Sequence, residues 1–591
     1  MILLDSFIGL FTIFISPQIF LYYKYNNLKY SLILVYGLII SFSASWAIFL
    51  IIFNFKLETI YLYILVLSVF IYSLFYMLNA KNIRSNNNYL TWVIVMTAML
   101  PLLSRVGYGF RSWDAVVSWN RWAVELFNNE YNPFGTAYPI LLPSQWSLIY
   151  KLQGTSEIWW TAQLSLFVIP LITLALLITL YKESKNKAYI FMAIFFYPYL
   201  VWINTIYGYM DMPVMLIGLL SILMLYNIEI NTDGYDIEYY AYASLLLAGI
   251  ATIIKQAGFV FLIFAIIYIL LNRKLFRNKK RLIIAILISI LYFSTYLFIY
   301  FQYHDNIMGN LEHLEKISAF KSFGNDFHQN ITYIWKTFFS YPSGVSSITP
   351  FFVFIGLLLF VVKELRKYNS IGLLSGVFFI IGTLLWIKFF SYDARNSYWV
   401  KSFFLIFFSI NVHYIFTKYI EKFTPTFNIN FGLFKIKKYS SSSIFVIIIT
   451  FIILLFVLGD DYAYKKQKQF QSKIGNALLA KKLAGFLTNK DICTEIYTND
   501  QPIKYNYHIR KFFDRVFVGG WYVPSYMKFI EHKCKDGRYF MFGKWTVTSK
   551  NTGWEKILKL EKDGVIFSVA DKSDRIYFIP PNIIIKDLIY E

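Results

Sequence analysis

Windows of about 20 apolar residues, the length a helix needs to cross a membrane, recur along most of this chain with short polar segments between them. They predict spans near 7–22, 31–53, 59–79, 89–103, 161–180, 188–207, 212–227 and 241–254. Further spans are expected near 257–271, 282–301, 347–362, 371–390, 398–417 and 441–458, about fourteen in all. The apolar run 241–271 is divided at Lys255-Gln256-Ala257-Gly258, where polar and flexible residues interrupt it. The first run begins near Phe7 with no Lys or Arg ahead of it, so a retained span is expected there and not a cleaved leader. Past residue 458 the pattern changes. Lys465 to Leu487 reads as an amphipathic helix. Short alternating runs at Glu495–Thr498, Val516–Val518, Tyr539–Phe542, Val565–Val569 and Ile576–Ile579, parted by Gly, Asn and Asp, read as strands.

Charge decides which way the spans run. If 23–30 lies in the cytoplasm, alternation puts 80–88, 181–187, 228–240, 272–281, 363–370 and 418–440 there too. Those segments carry 21 Lys and Arg, against 10 on the opposite side ahead of residue 459. That is the bias of the positive-inside rule, under which acidic residues count little. The acidic segment 228–240 is its exception. The division at Lys255 is needed for this outcome, because without it every later loop would change sides. The opposite, extracytoplasmic side then receives two long loops, 104–160 and 302–346, short turns at 208–211, 255–258 and 391–397, and residues 459–591.

Composition agrees. Only 15% of the 591 residues are charged and the mean hydropathy is +0.51, whereas soluble domains carry about 25% charged residues. A net charge of +22 is accounted for by the loop bias, so no nucleic-acid partner is called for. The fold class expected is an all-α polytopic membrane protein with a small C-terminal extracytoplasmic α/β domain. Its parts are additional transmembrane helices over 1–88, a transmembrane catalytic domain over 89–458 and the α/β domain over 459–591. Cys493 and Cys534 both fall in the last part, and their pairing is left open by the sequence.

Charged residues at span ends in sparsely charged surroundings are functional candidates. The first long loop contains Arg111-Ser112-Trp113-Asp114, then Ser118-Trp119-Asn120-Arg121-Trp122, then Tyr138-Pro139 and Ser144-Gln145-Trp146. Helical spacing of Trp113, Val116, Val117, Asn120 and Val124 predicts an amphipathic helix over 113–127 at the interface. Asp114 and Asp211, the latter in Tyr207-Gly208-Tyr209-Met210-Asp211-Met212-Pro213, also suit plain helix caps. Lys255 stands alone between apolar runs and must snorkel or find an anion. Arg395 lies at a span boundary within Ser391-Tyr392-Asp393-Ala394-Arg395, where Asp393 is a local partner. His304, His313 and His328 share the second long loop with Asp305, Glu312 and Asp326. Their spacing matches no tight ligand set, so no cofactor or metal is expected, and His304-Asp305 is read as a substrate contact.

An Asp in the first large outer loop, a Tyr-Pro segment, a Gly-Tyr-X-Asp turn, a Lys-X-X-Gly turn and an Arg after a late span occur here in that order. The arrangement resembles the GT-C superfamily of integral-membrane glycosyltransferases, which use polyprenyl-phosphate-linked sugars. Protein O-mannosyltransferases and lipid A aminoarabinose transferases are relatives of this type. The resemblance covers roughly 89–458. The chain departs from it at Ala115, where O-mannosyltransferases carry a second acid, and in having more than one span before the first-loop helix.

The resemblance implies an inverting transfer of a sugar from a polyprenyl-phosphate donor to a glycan, lipid or protein acceptor on the extracytoplasmic face of the inner membrane. Asp114 matches the family's catalytic acid. The chemistry of the residues agrees: the leaving group is an anionic phosphate that cations at span ends would stabilise. Lys255 and Arg395 suit that task, with Arg111 and Arg121 as helpers. Asp211, Tyr138, Gln145, His304 and Asp305 are expected around the substrate. No Gly-rich phosphate loop follows a strand, in keeping with a lipid-linked donor. Two rivals stand beside this reading: a polymerase or ligase of lipid-linked glycans, and a transporter or flippase, which should show interrupted helices in two related halves.

Overall fold

The computed structural model describes residues 2–25, 28–55, 59–79, 89–107, 110, 115–129, 131, 138–156, 158–201, 205–230, 234–302, 370–389, 397–415 and 417. Toward the C-terminus it describes 495–498, 516–518, 538–542, 559–565, 567–571 and 574–579. The chain divides into two units: Met1–Val106 with Trp122–Gly459, and Gly107–Arg121 with Asp460–Glu591.

The first unit is a bundle of helices. α1 (Ile2–Leu10) runs through a π-helical turn (Phe11–Ile15) into α2 (Ser16–Lys24), followed by α3 (Tyr30–Phe55), α4 (Thr59–Asn79) and α5 (Tyr89–Leu103). A second π-helical turn at Ala115–Trp119, which belongs to the second unit, leads into α6 (Asn120–Phe127), whose residues from Trp122 onward belong to the first. Next come α7 (Leu141–Gln153), α8 (Trp160–Ser184), α9 (Ala188–Leu200), α10 (Asp211–Ile230), α11 (Gly234–Ile254), α12 (Phe259–Leu271) and α13 (Lys279–Gln302). α14 (Ser370–Phe389) and α15 (Tyr398–Ile415) complete the described helices of this unit. Among the described residues, six helices are long and apolar enough to cross a membrane. Shorter apolar helices lie over Thr59–Phe75, Thr91–Leu103, Ala188–Leu200, Gln256–Leu271 and Ile371–Trp386. Helices are the form in which a spanning backbone satisfies its own polar groups in lipid, and this is a multi-pass helical membrane protein. Ile283, Leu287 and Leu291 project from α13 as an exposed apolar stripe, which suits contact with acyl chains.

Twelve of the fourteen expected windows fall on these helices, and windows 347–362 and 441–458 lie outside the described residues. The window 188–207 is corrected: α9 stops at Leu200, and Thr205 Oγ1 donates to the Tyr199 carbonyl, 3.1 Å away, ending the helix with a side-chain donor. The first long loop is also more helical than its polar pattern suggested. α7 lies within it, every residue of the helix is buried, and Gly154 closes its C-terminus at φ 68°.

Polar contacts sort the helix ends of the first unit into two groups. At one end Lys29 pairs with Asp236 at 2.8 Å, Lys182 Nζ donates to Thr91 Oγ1, and Tyr189 OH donates to Asn227 Oδ1 at 2.9 Å. At the other, Tyr63 OH donates to the Leu152 carbonyl, and Gln153 Nε2 donates to Thr161 Oγ1 at 2.7 Å. Segments 23–30, 181–187 and 228–240 contribute to the first group, and 272–281 joins it where the Arg277 and Asn278 amides donate to Glu238, as alternation of the spans requires.

The acidic exception in 228–240 has a physical reason. A helix begins with amides that have no partner within it, and carboxylates suit that positive end. Glu229 Oε1 accepts the Ile371 amide at 2.8 Å in the first turn of α14. Glu238 Oε1 accepts the amides of Arg277 at 3.0 Å and Asn278 at 2.6 Å, just ahead of α13. Glu183, at the end of α8, takes the Ser31 amide at 3.0 Å and its hydroxyl at 2.5 Å at the start of α3. These acids cap neighbouring helices.

In the second unit five strands form one mixed sheet: β1 (Glu495–Thr498), β2 (Val516–Val518), β3 (Arg538–Phe542), β4 (Phe567–Asp571) and β5 (Asp574–Ile579). The order is β2-β1-β3-β5-β4. β1 runs parallel to both β2 and β3, with Ile496 opposite Val516 and Tyr539. β5 runs antiparallel to β3 and β4, with Tyr577 opposite Phe540 and Ser568. The first two strands keep the bounds expected from alternation, while β4 lies two residues later than expected.

Glu238→Ala removes the acceptor of two amides at once. It is expected to cost about 2 kcal/mol, seen as a lower thermal midpoint of the detergent-solubilised protein; an unchanged midpoint refutes the capping role.

Candidate functional site

α11 ends at Ile254, where Lys255 takes an extended backbone (φ −156°, ψ 150°) and a 3-10 turn, Gln256–Gly258, carries the chain into α12. The Lys255 amide still reaches back to the Ala251 carbonyl at 3.3 Å, and the Gly258 amide closes on the Lys255 carbonyl at 2.8 Å. A Cβ on Gly258 would stand 2.0 Å from the Ala251 carbonyl oxygen. Glycine is what lets the chain fold back onto its own helix end here. The Lys-X-X-Gly spacing therefore has a steric cause, and it fixes the root of the lysine side chain.

The partner comes from the neighbouring turn. Gly208 bends the chain in the left-handed region at φ 90°, Gln163 Nε2 holds the turn by donating to the Ile206 carbonyl at 3.2 Å, and α10 starts on Asp211. Lys255 Nζ meets Asp211 Oδ1 at 2.5 Å, the two side chains being 15% and 9% exposed. α10 and α11 are antiparallel neighbours, so the acid lies at the positive start of one helix and the lysine just past the negative end of the other. Each charge stands where the helix dipole favours it, worth about 0.3–1 kcal/mol apiece. The helix-start position of Asp211 and the anion that Lys255 needs are thus one arrangement.

Rings hold the neighbouring helices close. A Cβ on Gly218 of α10 would lie 2.3 Å from the Phe261 ring of α12, so the ring rests in a notch that only a small residue leaves open. Phe261 also stacks on Phe403 of α15, centroids 5.2 Å apart and planes at 23°. α15 begins at Tyr398, whose ring lies edge-on to Tyr199 at 6.4 Å. One turn on, Lys401 is buried with Nζ 5.0 Å over the Tyr398 ring. Lys401 is hidden in the hydrophobic pattern because one cation disappears in the average of an apolar window. A single Lys inside 398–417 was its signal.

α7 carries a second anchored lysine. Lys151 Nζ donates to the Phe127 carbonyl at the end of α6 and to Asn129 Oδ1, both at 3.1 Å. Burial lowers its pKa below the ordinary lysine value. Gln145, on the same helix, donates through Nε2 to Ser45 Oγ of α3 at 3.2 Å. Tyr138 lies beside Trp122 with ring centroids 6.3 Å apart.

Of the residues singled out in the sequence, the structure brings Asp211 and Lys255 together. Tyr138 and Gln145 have the packing contacts just given. Arg121 lies on α6, partly exposed, and belongs to the second unit. Arg111, Asp114, His304, Asp305 and Arg395 lie outside the described residues, as do His313, His328, Cys493 and Cys534. Among the described residues, no three His, Cys, Asp or Glu side chains are grouped so as to hold a metal ion.

No family model and no curated protein matches the chain. Among solved structures it matches the crystal structure of ArnT from Cupriavidus metallidurans in the apo state. The match has 13% identity and a TM-score of 0.47, over 85% of this chain and 99% of that one. A likeness of that degree assigns neither residues nor activity.

Lys255→Met, leaving Asp211 without its cation, is expected to lower stability by about 3–5 kcal/mol, with most of the loss recovered in Lys255→Met/Asp211→Asn. Asp211→Asn alone should cost less, because the freed lysine can extend toward water. A double-mutant cycle in detergent-mixture unfolding measures the coupling, and additive losses overturn it.

Proposed function

We propose that the protein is a membrane glycosyltransferase of GT-C type that moves a sugar from a polyprenyl-phosphate carrier to an envelope glycan, lipid or protein. In this reading the end of the bundle carrying Asp211 and Lys255 is extracytoplasmic and the basic end is cytoplasmic. The division into 1–88, 89–458 and 459–591 is kept, with the last part outside the membrane.

The observation that carries the reading is the Asp211–Lys255 pair at the junction of two helices. α10 and α11, which carry the two charges at their shared end, have 20 and 21 residues, about 30 Å each at 1.5 Å per residue. That matches a hydrocarbon core of about 30 Å. In this reading the pair lies at the edge of that core, the depth where a lipid phosphate meets the acyl region. A buried cation there serves a phosphate leaving group with no nucleotide-binding fold.

The reaction assigns roles by chemistry. The bond between the anomeric carbon and the phosphate oxygen breaks, the electron pair stays with the phosphate, and Lys255 and Arg395 bind the charge that develops there. Arg111 and Arg121 assist at the phosphate. The acceptor hydroxyl attacks from the opposite face of the sugar, inverting it, while Asp114 takes the hydroxyl proton. Asp211, Tyr138, Gln145, His304 and Asp305 contact substrate, and no metal is invoked.

Purified full-length protein is expected to release polyprenyl phosphate from a polyprenyl-phosphate sugar when given envelope lipid as acceptor, without any ion gradient. Asp114→Asn should slow that release by about 10²–10⁴-fold with the fold intact by size exclusion; near-normal turnover removes Asp114 from the base role. Sidedness is checked separately in a background with Cys493 and Cys534 replaced by serine. An impermeant maleimide should label Ser104→Cys on intact cells, and Lys274→Cys only after permeabilisation. The reverse pattern inverts the orientation.

A further inference from the structure

Lys255 is a cation already neutralised by Asp211 at 2.5 Å, and both side chains are mostly enclosed. A bare lysine would attract any phosphate, and the more charged one most. A lysine held in a close ion pair presents little net charge to a ligand. It donates hydrogen bonds to a phosphate oxygen while the neighbouring carboxylate repels each additional negative charge.

That distinction matters for the reaction proposed above, on which this inference rests. A sugar-phosphate-lipid donor is a phosphodiester with one negative charge. When the bond to the anomeric carbon breaks and the electron pair remains on the phosphate oxygen, the lipid product becomes a monoester. The acceptor hydroxyl meanwhile becomes part of the new glycosidic bond, and its proton goes to the base. A phosphate monoester carries about −1.5 to −2 at neutral pH. Product is therefore more anionic than substrate, and a site of unpaired cations would retain it.

We infer that Asp211 is a positioning residue that sets the charge preference of the lipid-phosphate site. Through Lys255 it admits the monoanionic phosphodiester donor and disfavours the more highly charged monoester, so the spent carrier lipid leaves. The geometry holds the carboxylate and the ammonium in a fixed relation. Asp211 opens α10 and Lys255 follows the end of α11, so the carboxylate is fixed beside the ammonium by two helix ends. Gly258, whose Cβ would meet the Ala251 carbonyl at 2.0 Å, keeps the lysine root against α11.

The test is equilibrium binding of two probes to the full-length protein in nanodiscs: a polyprenyl monophosphate and the methyl phosphodiester of the same lipid. These differ at the phosphate by one methyl and its charge, and neither reacts. The wild-type protein is expected to bind them within about threefold of each other despite the difference in charge. Asp211→Asn should raise the preference for the monophosphate about tenfold, and Asp211→Glu, which retains the carboxylate, should restore the wild-type ratio.

A wild-type protein that already prefers the monophosphate by about tenfold or more overturns the inference, with no variant needed. So does an Asp211→Asn ratio equal to wild type. If the wild-type protein binds neither probe, the lipid-phosphate reading fails, and this inference fails with it.

Discussion

The two ends of adjacent antiparallel helices carry opposite partial charges, and the ion pair between Asp211 and Lys255 answers both at once. The acid opens α10 and the base follows α11, so the pair is favoured by the field of the backbone as well as by its own attraction at 2.5 Å. It also closes a connection that has little freedom to vary. Gly258 has no room for a side chain above the Ala251 peptide, and the Lys255 backbone is extended between two helical segments. A buried ion pair is weak evidence for stability when set against apolar packing, but removing one member is costly.

The same constraint acts at the opposite end of the bundle with different partners. Glu183, Glu229 and Glu238 each accept amides at the beginning of a neighbouring helix. Near a membrane a helix start has fewer waters to draw on, so a carboxylate from the adjacent helix supplies the acceptor. Basic residues in these segments are set by orientation, and the acidic ones by the need of the helix starts. The two populations coexist for different reasons.

Much of the architecture was legible because the membrane imposes one length and one polarity rule. Twelve windows of apolar residues fall on described helices, and the interruption at Lys255 shows where one apolar run becomes two. What the pattern did not contain was partnership. Asp211 and Lys255 each looked like an end-of-helix residue, and nothing in their spacing of 44 positions named one as the partner of the other. Charge counting treated 228–240 as an exception, since a count has no place for acids that bind amides across the bundle. α7 was overlooked because Lys151 and Gln153 lend its end a loop-like polarity. In the structure that lysine binds the end of α6 and that glutamine binds Thr161. Lys401 shows the converse failure, a polar residue lost inside an apolar average.

The carboxylate at the end of α8 has a consequence for how the bundle is made. Ser31 and Glu183 lie 152 residues apart, so α3 enters the bilayer long before its cap exists. At typical synthesis rates of about 5–20 residues per second, the interval is roughly 8 to 30 seconds. Glu229 and Ile371 repeat the situation in reverse, the acid arriving 142 residues ahead of the amide it will hold. Early helices must therefore be tended by water, lipid headgroups or the insertion machinery until their partners are translated.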